Sequence, residues 1–167
     1  DTVETQRLID VMAKSFSSSA LDMSKFSGGI TQAAAAANAM DVSVEQTVSA
    51  MSLLNNAGIE GSKVGTDLRK IFGEISKTTG KDFRGSLDVL AASMDKVNTK
   101  QEKMDILTEA VGERSKIALS ILINQREKLD DLTASYEDAE GSVAKMAETM
   151  RDNAKTGSDL VKSAWQG

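Results

Sequence analysis

Apolar residues along this chain recur at intervals of three and four, the spacing of helices with one buried face, rather than in the alternation of a half-buried strand. Val64, Leu68, Ile71, Phe72 and Ile75 stand at i, i+4, i+7, i+8 and i+11, which predicts an amphipathic helix with five core side chains. Upstream, Val44, Val48, Met51 and Leu54 form one stripe, and Ser43 followed by Gln46 has the spacing of a capping box. A helix is therefore expected to start there and to end at Gly58, where a left-handed residue fits. Nearer the N-terminus, Val3, Leu8, Val11 and Met12 lie on one side of a short helix reaching about Lys14, and Ser15 to Ser19 read as an interruption. Asp22 or Ser24 can cap the next helix, which carries Gly28 and Gly29 and an alanine run from Ala33 to Ala37, and extends to Met40. The alanines follow from helix propensity alone, or they let a neighbouring helix approach closely; the two readings are compatible.

In the second half, Thr78 to Gly85 reads as a loop around Gly80 and Gly85. Leu87, Leu90, Met94 and Val97 give a short helix, Met104, Leu107, Ala110 and Val111 another, and a long helical pattern after Gly112 carries Ile117, Ile121 and Leu122. From there the spacing tightens into heptads. Leu129, Leu132, Tyr136, Ala139, Val143, Met146 and Met150 make a seam that asks for a partner helix, within the chain or in another copy. Gly141 and Ser142 can break this run into a helical hairpin, the form favoured for an isolated fragment, or leave it extended. Asn153 and Gly157 take the next two seam positions, and Leu160, Ala164 and Trp165 resume the apolar face. The expected fold is all-α: a compact module of about seven or eight helices with glycine-rich turns, ending in a long heptad-patterned helix or hairpin, with the helical core over 1–126 and the heptad part over 127–167.

Composition agrees and narrows the function. There is no proline, aromatics are 4%, and the chain lacks both cysteine and histidine. Disulfides, thiolate nucleophiles, the commonest metal ligand and the usual general base are thereby removed. Catalysis by Asp, Glu or Lys remains formally open, but most of the acidic residues must be solvated helix faces, and no enzyme is expected. No cofactor or metal site is expected either. A net charge of −5 gives no basic footprint for nucleic acid. No apolar run approaches the length of a membrane-spanning helix. The chain begins at Asp1 rather than methionine, so it is read as a fragment or a processed product.

The most distinctive stretch is LLNNAGIEGSKVGTDL, from Leu53 to Leu68. Its glycines and lysine superficially suggest a phosphate loop, but such a loop follows a strand and this stretch follows a helix. The structural reading has Gly58 capping one helix, Gly61 with Ser62 opening the next, and Gly65 with Thr66 permitting close helix contact. The acidic groups Asp130–Asp131 and Glu137, Asp138 and Glu140 lack the alternating ligands and central glycine of a calcium loop and read as a solvated face. The eight methionines sit mostly on apolar stripes and read as core.

The run from Leu54 to Ser62, continuing through Gly65-Thr66-Asp67-Leu68-Arg69, resembles the Leu-x-Asn-Ala-Gly-Ile-x-Gly-Ser and Ala-Gly-Thr-x-Leu-Arg segments of bacteriophage tail tape measure proteins. Val64 replaces their usual alanine. Asp41 to Gln46 resembles their Gly-x-Ser-x-Glu-Glu helix start, with Asp41 in place of glycine. Ser18 to Asp22 with Phe26, Asp82-Phe83-Arg84-Gly85, and Val111 to Arg114 followed by Ala118-Leu119 match further family segments in the same order. The resemblance spans about Thr5 to Trp165. It implies a long helical protein that occupies the lumen of the phage or prophage tail, templates tube assembly, sets tail length, and leaves ahead of DNA at ejection. Implied partners are the tail tube protein, tail assembly chaperones and baseplate or tail-tip proteins, with self-association through the seam also open. The implied locations are the virion tail lumen and, during assembly, the host cytoplasm. This segment is expected to be a folded module in the N-terminal part of the parent protein. The residues expected to matter are the turn motif Asn55, Gly58, Gly61, Ser62, Gly65, Thr66 and Arg69, and the seam. A soluble helical adaptor or secretion-apparatus partner would share heptads and alanine-rich helices and is the alternative. An enzymatic reading, a cell-wall-cleaving domain, would require an acidic or metal site for which the sequence offers no candidate.

Overall fold

A computed structural model describes residues 2–142, and the described part is all-helical. Its eight helices are α1 (Thr2–Ser18), α2 (Met23–Ala39), α3 (Val44–Asn56), α4 (Ser62–Thr79), α5 (Phe83–Asp95), α6 (Lys100–Val111), α7 (Lys116–Asn124) and α8 (Arg126–Glu137). At the centre lies α3. Every residue from Val48 to Leu54 is completely buried, because α1, α2, α4, α7 and α8 all pack against it. A helix covered on all sides cannot be amphipathic in the usual sense. Its small polar residues Ser49 and Ser52 are enclosed along with Met51 and Leu53, whereas Val44, in its first turn, is exposed.

The α3 start matches its sequence signal. The Ser43 hydroxyl accepts from the Gln46 amide at 3.1 Å, and the Gln46 side chain accepts from the Ser43 amide at 3.1 Å. The five apolar residues of α4 are all buried, and the α2–α4 pairing is the most extensive among the described helices.

Several boundaries differ from expectation. Ser15 to Ser18 continue α1 instead of interrupting it. Their hydroxyls turn back onto the helix, Ser15 onto the Met12 carbonyl and Ser17 and Ser18 onto that of Lys14, each at 2.8 Å, so the serines compete with no backbone bond. The loop expected over Thr78–Gly85 shrinks to residues 80–82. Thr78 and Thr79 stay helical by the same back-bonding, Gly80 ends α4 in the left-handed conformation, and the Asp82 carboxylate caps α5 by accepting from the Gly85 amide at 2.7 Å. Gly85 thus lies inside a helix. Val97 falls just beyond α5.

The pattern after Gly112 forms α7, only nine residues long, and the heptads start in a separate helix, α8. The two helices separate at Gln125 (φ −112°, ψ 23°), where Arg126 donates to the Ile123 carbonyl at 2.9 Å and to Asp88 at 3.1 Å. The turn lets α7 pack on α5 and α6 while α8 lies along α3. Ile117 consequently points outward, and Ala118, Leu119, Leu122 and Ile123 face the core. At its far end α8 stops at Glu137, four residues before Gly141.

Candidate functional site: the glycine turn and the covered seam

The turn between α3 and α4 is built from backbone geometry. Gly58 takes φ +89°, its amide donates to the Asn55 carbonyl at 3.0 Å, and the Ile59 amide reaches back to Leu54 at 2.9 Å. This double closure satisfies carbonyls that the helix end would otherwise orphan, and Ile59 packs on the core as the accompanying apolar contact. Gly61 opens α4 at φ +62° and ψ −140°, a conformation open essentially to glycine alone. Asn55 is buried; its side-chain amide donates to the Met51 carbonyl at 2.9 Å, and its own side-chain oxygen has no partner. Asn56 uses its side-chain oxygen to accept from the Ala20 amide at 2.9 Å, tying the turn to the α1–α2 connection.

Gly65 has a different role. A Cβ there would collide with the Gly29 carbonyl oxygen and lie 2.7 Å from Gln32 Cβ and 2.9 Å from Gly29 Cα. The backbones of α2 and α4 therefore meet at a Gly29–Gly65 crossing, with Ala33 and Ala37 buried further along α2. Ser62, Thr66 and Arg69 lie on the opposite, exposed side of α4, where the Thr66 hydroxyl returns to the Ser62 carbonyl at 3.0 Å. Lys63 is committed to buried Asp67 at 2.6 Å, and the other Asp67 oxygen accepts from the Ser115 hydroxyl at 2.9 Å. Lys63 also donates to the Arg114 carbonyl at 3.4 Å, so the lysine of the superficial phosphate-loop pattern joins Asp67 in fastening α4 to the turn before α7.

Of the seam residues, Leu129, Tyr136 and Ala139 are buried and Leu132 is partly so. Val143, Met146 and Met150 lie outside the described residues, as do Asn153, Gly157, Leu160, Ala164 and Trp165. The partner of the described seam is α3 of the same chain, with a smaller contribution from α1. A polar column, buried at Ser49, Ser52 and Tyr136 and partly open at Thr133 and Ser18, runs along that contact. Thr133 donates to Ser49 at 3.1 Å, and the Tyr136 hydroxyl lies 3.0 Å from Ser52 Oγ and 3.3 Å from Ser18 Oγ. Because both serines have a backbone carbonyl within reach, the single phenolic proton is best used toward Ser52, at the shorter distance.

Sequence reading missed this column, since Ser and Thr in a helical pattern give no burial signal. It also missed Glu45, a buried carboxylate held by Arg7 at 2.6 Å. It passed over the capping box of α6 as well, Thr99-x-x-Glu102, which is fully formed: the Glu102 amide donates to Thr99 at 3.1 Å and Glu102 accepts from the Thr99 amide at 2.9 Å. These bonds, the Thr99 hydroxyl first, hold the Glu102 carboxyl below its ordinary range. Asp130, one of the acidic residues read as a solvated face, pairs with Arg84 at 2.8 Å, and Arg84 also meets Asp88 at 2.6 Å. The Arg84 guanidinium keeps the Asp88 carboxyl low. Among the described residues no group of three acidic side chains is placed to hold a metal ion, and no helix is long and apolar enough to cross a membrane.

What these residues build is a scaffold: a glycine crossing, caps and a polar column that fix helix positions. A family described as phage-related minor tail protein matches residues 1–164. The chain belongs to that family, and so to the structural proteins of phage tails. It is 27% identical to the probable tape measure protein of Escherichia phage P2, across 94% of this chain and 22% of that protein. It is 28% identical to the tape measure protein of Pneumococcus phage Dp-1, across 86% of this chain and 14% of that protein. The chain therefore spans less than a quarter of the length of these relatives. No solved structure matches it.

Proposed function

We propose that this chain is a folded, non-catalytic segment of a tape measure protein. In this reading the parent protein occupies the lumen of the tail tube, tube subunits polymerise around it with the help of tail assembly chaperones, baseplate or tail-tip proteins hold one end, and it leaves ahead of DNA at ejection. The observation that carries the reading is the match of nearly the whole chain to tape measure proteins of two phages. A chain without cysteine or histidine supports a structural rather than chemical role. Helices convert residue number into length at about 1.5 Å per residue, but eight short helices folded on one another do not act as such a ruler. This segment is accordingly an anchoring module, and the length-setting sequence lies elsewhere in the parent.

The test is an in-frame duplication of residues 2–142 in the parent phage, with tails measured by electron microscopy. A compact module about 40 Å across adds at most that length, whereas the same residues drawn out as one helix would add about 210 Å. Deleting the segment is expected to abolish tail assembly; normal tails without it would overturn the proposal. For the absence of catalysis, the purified chain incubated with peptidoglycan should release neither sugar nor peptide.

A further inference from the structure

A cleft of about 420 Å³ opens between the first two turns of α1 and the first turn of α3. From α1 it takes Glu4, Arg7 and Leu8, and from α3 Val44 and Glu45. Glu45 forms its floor: the side chain is 1% exposed, against 63% for its partner Arg7. That pair is lopsided. The Arg7 Nε donates to Glu45 Oε1 at 2.6 Å, while Oε2 is enclosed and has no hydrogen-bond partner. An ionised carboxylate offers about four acceptor sites, and a buried one left half satisfied is costly unless another donor comes to it. Service to the helix dipole does not account for the burial. A first-turn carboxylate acts on the dipole from an exposed position, as Glu102 does at the start of α6.

We propose that the cleft receives a long basic side chain, a lysine presented by another protein, with its ammonium on Glu45 Oε2. The charges favour a cation, since Glu4 and Glu45 outweigh Arg7 in the lining. The walls favour an alkyl stem: Leu8 is half-buried and Val44 is 41% exposed at the mouth, and lysine packs its methylenes along such apolar surface. A single open oxygen suits the compact ammonium of lysine better than the guanidinium of arginine, whose fork takes both oxygens of a carboxylate. The largely exposed Arg7 head group shifts to admit the ammonium and keeps its bond to Oε1. In size the cleft falls among ligand sites of about 300–1,000 Å³, with room for the backbone that carries the lysine as well as for its stem. The site requires nothing of the tape measure reading, so the two stand or fall separately.

An NMR amide-shift titration of the 167-residue chain tests it. The probes are a blocked Ala-Lys-Ala peptide, the same peptide with norleucine in place of lysine, and free diaminobutane. The lysine peptide should shift the Val44, Glu45 and Gln46 amides saturably at millimolar concentration. It should bind about tenfold more tightly than the norleucine peptide, the scale of one hydrogen bond to a charged group. Glu45→Gln, which keeps the side-chain size, should abolish that difference. Because this change also releases Arg7, Val44→Trp is the second variant: it fills the cleft from an exposed position, leaves the carboxylate in place, and should block the lysine peptide with unchanged helicity and melting temperature. Equal shifts from the two peptides would overturn the proposal, as would discrimination that survives in Glu45→Gln. So would the lack of any saturable shift in the native chain, the result expected if Arg7 alone serves both oxygens. Binding of diaminobutane without binding of the lysine peptide would overturn the assignment to a protein-borne lysine.

Discussion

Glycines on one helix pair carry opposite expectations. At Gly65 a methyl group meets the backbone of Gly29, which cannot move aside without separating α2 from α4; Gly65→Ala should cost about 1–3 kcal/mol, in line with overpacked cores. Gly73, on the same helix, has nothing within 4 Å of its would-be Cβ, so Gly73→Ala should gain about 0.5–1 kcal/mol from helix propensity alone. Urea denaturation of the two variants reads the difference, and equal effects would mean the crossing is looser than described. Gly29 itself is intermediate, for its Cβ meets only the mobile end of Met51, at 2.6 Å. Asp41 is the one non-glycine described with positive φ, at +53°. It occupies the position where the resemblance leads one to expect glycine, so Asp41→Gly should stabilise the chain by about 0.5–1 kcal/mol, by relief of left-handed strain. A lower melting temperature for that variant would show that the Asp side chain contributes more than its backbone costs.

Among the elements, helix starts were the most legible from sequence, because a cap is a local arrangement with a fixed spacing. Ser43–Gln46 lies within four residues, and so does Asp22, one of the two caps expected for α2, with the Lys25 amide it accepts from. Helix ends and loop lengths were harder. Ser15 to Ser18 and Thr78–Thr79 have turn-like composition, and only their inward-turned hydroxyls keep them helical. The change to heptad spacing placed a division nearby, but the exact turn at Gln125 is imposed by the need for α7 and α8 to meet different neighbours. Gly65 carried a hint of close contact, but its partner Gly29 is set by the three-dimensional crossing and could not be read along the chain. The caps also predict a response to acid. Hydrogen bonds from Thr99 lower the Glu102 carboxyl, and Lys116, then Thr108, lower that of Glu113. Carboxylates depressed by folding stabilise the fold above their ordinary value of 4.5, and that contribution disappears as pH falls through the lowered folded values. Thermal melts should therefore be flat from pH 7 to about 5 and shift downward below pH 4.5. Glu102→Gln should weaken that acid shift, since it removes one titrating group while keeping a capping side chain. An unchanged shift in this variant would place the acid sensitivity outside the α6 cap.

For the molecule as a whole, the question is whether α8 completes the core or merely rests on it. Periodicity places a division after residue 126, just ahead of the heptads that begin at Leu129. Yet Leu129, Tyr136 and Ala139 join the same buried cluster as the residues of α1 to α7, and α8 supplies the polar partners of Ser49 and Ser52 on the central helix. A chain ending at residue 126 would expose the enclosed face of α3 and lose the burial of those three side chains. At roughly 1.5–3 kcal/mol for each large apolar side chain, the loss is about 5 kcal/mol, comparable to the entire stability of many single domains. Such a truncation should therefore lose its cooperative thermal transition, and in the complete chain Leu129→Ala should cost about 2–5 kcal/mol. If the truncated chain instead melts as sharply and as high as the complete one, α8 is an appendage. The heptad segment would then be free to leave the module and serve as the first stretch of the ruler, and the boundary at 126 would mark a true division of the parent protein.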